Sequence, residues 1–289
     1  MPRLSVSTWS LHRALGPMYH PATDGSGGLR PHNDRPGELS LLELPAQMAA
    51  RGIKTLEICH FHFPRLDQEY LANLRAALQE AGVELFSLLI DAGDITQPDP
   101  TRREQELAWI RSWLIVAGFV GATHARVIAG YAEISLNGGD PHDHDLIHLS
   151  AQNLSALARF GREHGVQVIT ENFHPLTKQP ASLLAILDLC AGEVGLCADF
   201  GNYKGPAKYA DLRAILPRAD SIHAKAHYPK PGQLDQADFS RCLDLAQEAR
   251  FDGPYSLIFD DAGDEWASLA EMQRLVEPYL TVSVDPNLP

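Results

Sequence analysis

Cysteine is scarce in this chain and shows no pairing pattern. Cys59, Cys190, Cys197 and Cys242 are the four cysteines in 289 residues, and no CxxC pair occurs. A disulfide framework and a zinc ribbon both lose support. Long apolar runs are missing too. None approaches the roughly 18 residues needed to cross a bilayer, and Leu4–Val6 gives way at once to polar residues where a signal peptide would continue. The expectation is a soluble, reduced, cytoplasmic protein with no membrane partner. Positive charge is in deficit: 24 lysines and arginines stand against 37 aspartates and glutamates, a formal net charge of −13. Such a surface repels polyanions, so nucleic acid is not an expected partner. No GxGxxG follows the first strand-like run and no composition shift marks a second domain, which disfavours an open dinucleotide-binding sheet.

What is present is an alternation. Strand-like runs occur at Leu4–Trp9, Thr55–Cys59, Glu84–Ile90, His124–Ile128, Gln167–Glu171, Gly195–Asp199, Ser221–Lys225 and Tyr255–Phe259. Between them lie stretches with apolar residues at three- and four-residue spacing, among them Leu71–Ala81, Glu104–Gly118, Ile147–Gly165, Ser182–Cys190 and Phe239–Ala249. Gly82, Gly121 and Gly165 each precede a strand, where a left-handed helix cap is wanted. Eight strands alternating with helices predict a parallel sheet closed into one (β/α)₈ barrel over residues 1–280, followed by a tail at 281–289. Two connections are unusually long, Leu11–Leu39 and Gly130–Asp145. Both follow a strand, so both belong to the C-terminal face where barrel sites are built, and a lid or binding role is expected of the first.

Alternate residues of a strand face opposite ways, which makes the polar positions informative. On the seventh run Ser221, His223, Lys225 and His227 share one face, opposite Ile222, Ala224 and Ala226. Buried lysine and histidine are costly unless paired or bound to a ligand. On the sixth, Cys197 and Asp199 lie between Leu196, Ala198 and Phe200; the fifth ends in Glu171-Asn172-Phe173-His174. Arg126 sits among apolar neighbours on the fourth, and Glu57 between Leu56 and Ile58 on the second. Glu171, Asp199 and His223 end three consecutive strands about 4.8 Å apart, so their side chains can meet. Two carboxylates and one imidazole suit a single divalent ion, Mg²⁺, Mn²⁺ or Zn²⁺.

These motifs, in this order, resemble the xylose isomerase-like TIM-barrel superfamily of sugar isomerases, epimerases, inosose dehydratases and endonuclease IV-type enzymes. The resemblance runs from Leu4-Ser-Val-Ser-Thr-Trp-Ser-Leu-His12 to about Trp266. It implies metal ligation by the fifth-strand Glu171 and by Asp199 of Asp199-Phe-Gly-Asn202. His223-Ala-Lys225 is similar to the seventh-strand His-x-Lys-Asp motif, with Ala226 where the acid usually stands. The eighth strand departs from the pattern: Ile258 stands where the family commonly has a glutamate that is both ligand and acid/base. Asp260, two residues on, is the candidate replacement, with water or substrate as the rival.

The leading expectation is a metal-dependent isomerase or epimerase acting on a carbohydrate-like small molecule through an enediolate. Glu171 is the first choice of base, with Lys225 or His174 returning the proton or holding the oxyanion. Trp9, Glu57, His62, Arg126, Asn202 and His227 are the candidate substrate-binding residues. A dehydratase or other lyase and a non-catalytic sugar-binding barrel are the alternatives. A repair endonuclease is disfavoured by the acidic balance and the single clear histidine ligand. Oligomeric state stays open, a homodimer being common among such barrels.

Overall fold

The computed structural model describes residues 1–21, 29–32 and 35–280. The expected tail at 281–289 lies outside them, as do parts of the first long loop. Eight parallel strands close a barrel. They are β1 (Arg3–Ser7), β2 (Thr55–Cys59), β3 (Glu84–Ile90), β4 (His124–Val127), β5 (Gln167–Glu171), β6 (Gly195–Asp199), β7 (Ser221–Lys225) and β8 (Pro254–Ile258). β1 closes the ring by pairing with β8 on one side (Val6 opposite Leu257) and β2 on the other (Val6 opposite Leu56). The (β/α)₈ expectation is therefore met, and five strands run between the expected residues. The first strand ends earlier, because Thr8–Leu11 turn into a short 3₁₀ segment capped by the Ser7 hydroxyl.

The helices start and stop for local reasons. Asp67 caps the helix Gln68–Ala81 by accepting from the Tyr70 N–H, and Gly82 ends it in the left-handed region. Asp99 and Pro100 open the helix Pro100–Val120, and Gly121 closes it the same way. Outward-facing strand residues such as Leu196, Ala198, Ile222 and Ala224 join one core with the helices, whereas Phe86, Ile169 and Cys197 form a separate small cluster. This segregation matches the alternation of the strands.

The long loop after β1 is pinched at its base. Ala14 O accepts from the N–H groups of both Glu38 and Leu39. Gly16, at φ +85°, lies so close to Gly37 that a Cβ on it would meet the Gly37 nitrogen at 2.4 Å. Beyond this neck Tyr19–Pro21 pairs antiparallel with Leu29–Pro31. Met18, like Trp9, packs on the cluster of Cys59, Phe61 and Leu89, so this part of the loop is seated on the C-terminal face. Among the described residues no helix is long and apolar enough to cross a membrane.

Candidate active site and metal centre

A cavity of about 400 Å³ opens at the C-terminal ends of the strands. Glu171, Asp199 and His223 line it together with Arg126 and Asn202, while Trp9, Phe61 and Phe173 supply apolar wall and Lys225 and Asp260 are also part of the lining. Strand register explains the convergence: Glu171 lies beside Cys197 on β6, and Asp199 beside His223 on β7. All three side chains are almost wholly buried.

Each is held by named partners. His223 Nε2 lies 3.0 Å from Glu57 Oε2, and its Nδ1 faces Glu171 Oε1 at 3.3 Å and Asp199 Oδ2 at 3.8 Å. Asp199 Oδ1 accepts from the backbone N–H groups of Gly201 and Asn202, at 2.6 and 2.9 Å. The Asn172 amide clamps the same residue, accepting from its N–H and donating to its carbonyl. Asn202 Nδ2 donates to Glu171 Oε1 at 3.0 Å. Arg126 Nε lies 3.0 Å from Glu171 Oε2, but the two groups are misaligned, so this is an ion pair without a hydrogen bond and both atoms lack a partner. The other end of the guanidinium donates to Asp91 at 2.5 Å.

Electrostatics follow from this crowding. Burial would raise the Glu171 carboxyl, yet the neighbouring His223 and Arg126 charges outweigh it and hold the group well below the usual carboxylate range. Asp199 goes the other way: burial first, and the Glu171 charge second, push it up to about 6. Three carboxylates, Glu57, Glu171 and Asp199, thus share one buried patch with a histidine, and Glu57 Oε1 and Glu171 Oε2 are left unpartnered. This donor set fits a divalent cation, which satisfies buried carboxylate oxygens and offsets their mutual repulsion.

The remaining expected residues are distributed as follows. Trp9, Arg126, His174, Asn202 and Lys225 line the cavity. His174 is held at φ +71° with its ring between Tyr131 and Phe173. Asp260 accepts from Lys225 Nζ at 2.6 Å and is therefore tied into an ion pair at the mouth. Glu57 stands behind His223 and off the cavity wall. His227 lines a neighbouring cavity that also includes Lys225 and Asp260. His62 is turned away, into a pocket beneath the loop residues 37–43. Sequence reasoning missed Asp91 and Asn172, which orient Arg126 and Asp199; their only signal was a polar residue directly after a strand.

His62 yields a stability prediction. Thr8 Oγ1 accepts from the Cys59 N–H and is hydrogen-bonded to His62 Nδ1 at 2.8 Å, while His62 Nε2 is buried without a hydrogen-bond partner. Burial pushes His62 down to about 3 and its neighbour His60 down to about 4, from an ordinary value of 6.5. Below pH 6.5 each of these two histidines holds more protons in the unfolded chain than in the folded one. Their contribution to stability is therefore expected to fall as pH is lowered from 6.5 towards 4, by up to about 1.4 kcal/mol per pH unit for each histidine. Asp199, raised to about 6, offsets part of this below that pH. Urea titrations across this range should show one histidine's share of the slope removed in His62→Gln. An unchanged slope would mean that His62 is not held neutral in the folded protein.

Comparison with known proteins agrees with this architecture. The family described as xylose isomerase-like TIM barrel matches residues 45–276. A Streptomyces coelicolor protein provisionally named a hydroxypyruvate isomerase is 28% identical over 180 residues, 58% of this chain; the match spans 62% of that relative's length. The structure of an L-ribulose 3-epimerase superposes with a TM-score of 0.68 at 13% identity, covering 99% of this chain and 100% of that one. A Mycobacterium smegmatis xylose isomerase-like TIM-barrel protein, solved in complex with magnesium, gives 0.64 at 17% identity, covering 96% and 98%. At those identities the two structures speak for the fold alone. The family match covers most of the barrel, and the chain belongs to the xylose isomerase-like TIM-barrel family.

Proposed function

We propose that this protein is a divalent-metal-dependent isomerase or epimerase acting on a sugar, polyol or related hydroxy-carbonyl compound. The observation that carries the reading is the meeting of Glu171, Asp199 and His223 at one cavity, with His223 Nδ1 facing a carboxylate oxygen of each acid. The names of the relatives, an isomerase and an epimerase among them, point the same way.

In this reading Glu171, Asp199 and the Nδ1 of His223 hold the ion, and Glu57 fixes the imidazole by accepting from its Nε2–H. A carboxylate behind a ligating histidine orients the ring and raises its basicity. When bound, the ion supplies Lewis-acid polarisation of a carbonyl and charge stabilisation for an enediolate. Glu171 is the base that takes the α-proton, as a carboxylate that lines the cavity and whose Oε2 accepts no hydrogen bond although Arg126 Nε lies 3.0 Å away. Lys225 or His174, both lining the same cavity, returns the proton or steadies the oxyanion. Trp9, Phe61 and Phe173 exclude water and offer apolar faces to a ring.

One observation favours a second reading, dehydration. Ile258 gives the eighth-strand wall an apolar side chain and Asp260 beyond it is engaged by Lys225, so no free second carboxylate stands there for a two-base shuttle. Loss of a β-hydroxyl from the same enolate needs one base and one acid, which Glu171 and Lys225 supply.

Incubation of a panel of ketoses and aldoses with metal-loaded protein in D₂O tests the proposal. The expected result is deuterium at the α-carbon of recovered sugar, with epimerised or isomerised product. Deuterium with a dehydrated product would select the second reading. No exchange and no turnover with Mg²⁺, Mn²⁺ or Zn²⁺ would leave a sugar-binding barrel.

A further inference from the structure

Cys197 adjoins Glu171 and His223, and neither reading uses it. It sits on β6 directly beside Glu171 in register, two residues before Asp199 and on the same face. It is fully buried. Its Sγ, a carboxylate oxygen of Glu171 and a ring nitrogen of His223 all lie within 4.8 Å of one another. Asp199 Oδ2 is 3.8 Å from His223 Nδ1 but lies outside that group of three, so it would have to move towards the ion to become a fourth donor. Glu171 Oε2 is buried and accepts no hydrogen bond, Arg126 Nε being a misaligned neighbour at 3.0 Å. Meanwhile Ile258 offers no donor and Asp260 is engaged by Lys225.

We infer that Cys197 is a metal ligand, completing a set of two carboxylates, one imidazole and one thiolate, and that the site takes Zn²⁺ or Co²⁺ in preference to Mg²⁺. The inference rests on the metal site proposed above and sharpens its chemistry. A tetrahedral ion bound by sulfur at about 2.3 Å and by nitrogen and oxygen at about 2.0–2.2 Å needs donor atoms less than about 4 Å apart. The cluster is near that size and closes on an ion with small side-chain adjustments. Thiolate is a soft ligand that selects zinc and cobalt, whereas magnesium prefers an octahedral oxygen shell. On binding, the Cys197 thiol gives its proton to solvent and its sulfur lone pair to the ion, with no change of oxidation state. The alternative is that Cys197 only fills space against Phe86 and Ile169, with which it clusters.

Cobalt spectroscopy on the full-length protein separates the two. Co²⁺-loaded wild type should show a thiolate-to-cobalt charge-transfer band in the near ultraviolet. Cys197→Ser should still bind cobalt but lose the band, and its zinc affinity should fall at least about 100-fold, beyond the range typical of outer-shell partners. Cys59, which also lines the cavity, is the internal control: Cys59→Ser should keep the band. X-ray absorption on zinc-loaded wild type needs no variant, and should place one sulfur at about 2.3 Å. Cobalt bound without the band, a band that survives Cys197→Ser, or a shell of nitrogen and oxygen alone would overturn the assignment while leaving the metal site intact. Failure of wild type to bind either ion would overturn the site and the assignment together.

Discussion

Asp199→Asn and His223→Ala are each expected to abolish stoichiometric divalent-metal binding and to lower turnover about a thousandfold. Metal-ion stabilisation of transition-state charge is worth several kcal/mol, and about 4 kcal/mol corresponds to that factor. Asn keeps the size of Asp199 and can still accept from the Gly201 and Asn202 N–H groups, so the loop after β6 should survive. Removing His223 leaves Glu57 and Glu171 facing each other across a void, which makes it the more disruptive change. Elemental analysis after dialysis, paired with far-ultraviolet circular dichroism, gives the comparison. Full metal occupancy in both folded variants would remove these residues from the site.

Arg126→Met should unfold more readily than wild type by about 3–5 kcal/mol, the typical cost of deleting one partner from a buried ion pair. Arg126 is buried between Asp91 and Glu171, and its guanidinium also reaches the Ile90 carbonyl. A methionine of similar length fills the volume but abandons both carboxylates. Arg126→Lys should recover only part of the loss. A single ammonium cannot serve Asp91, Ile90 and Glu171 with the planar fork geometry they now share. Urea unfolding at neutral pH measures both. A loss below about 1 kcal/mol for the methionine variant would mean that the two carboxylates find compensation elsewhere. Added Zn²⁺ should stabilise both proteins, and should narrow the gap because Glu171, freed from Arg126, binds the ion more tightly in the methionine variant.

The barrel was legible because its signals are local and repeated. A strand buried on one face against helices and on the other against the barrel interior must carry apolar residues towards the helices. β2, β3, β5, β6 and β7 do so at the expected positions. The boundary of β1 was less legible, since Ser7 caps a following turn and Ser-Thr-Trp has no periodicity to end it. The metal-site candidates were legible for a related reason. Glu171 and Asp199 break an apolar pattern at the ends of β5 and β6 and His223 does so within β7, and the register of neighbouring strands brings such positions together. His62 was not legible in this way. It lies past the end of β2 in a 3₁₀ turn, where side-chain direction follows from the turn and the hydrogen bond to Thr8 rather than from alternation.

The amino-acid sequence by itself determined the order of eight strands, the caps that separate them, and which residues face inward at their C-terminal ends. Each of these depends on interactions within a few residues along the chain or on a period of two. Only the tertiary structure decided who meets whom across the barrel. It set Glu57 behind His223, tied Asp260 to Lys225, lodged Arg126 between Asp91 and Glu171, and drew Cys197 into the donor cluster. Those pairings depend on strand register, side-chain rotamer and competition among partners far apart in the chain, and none of these has a local signature.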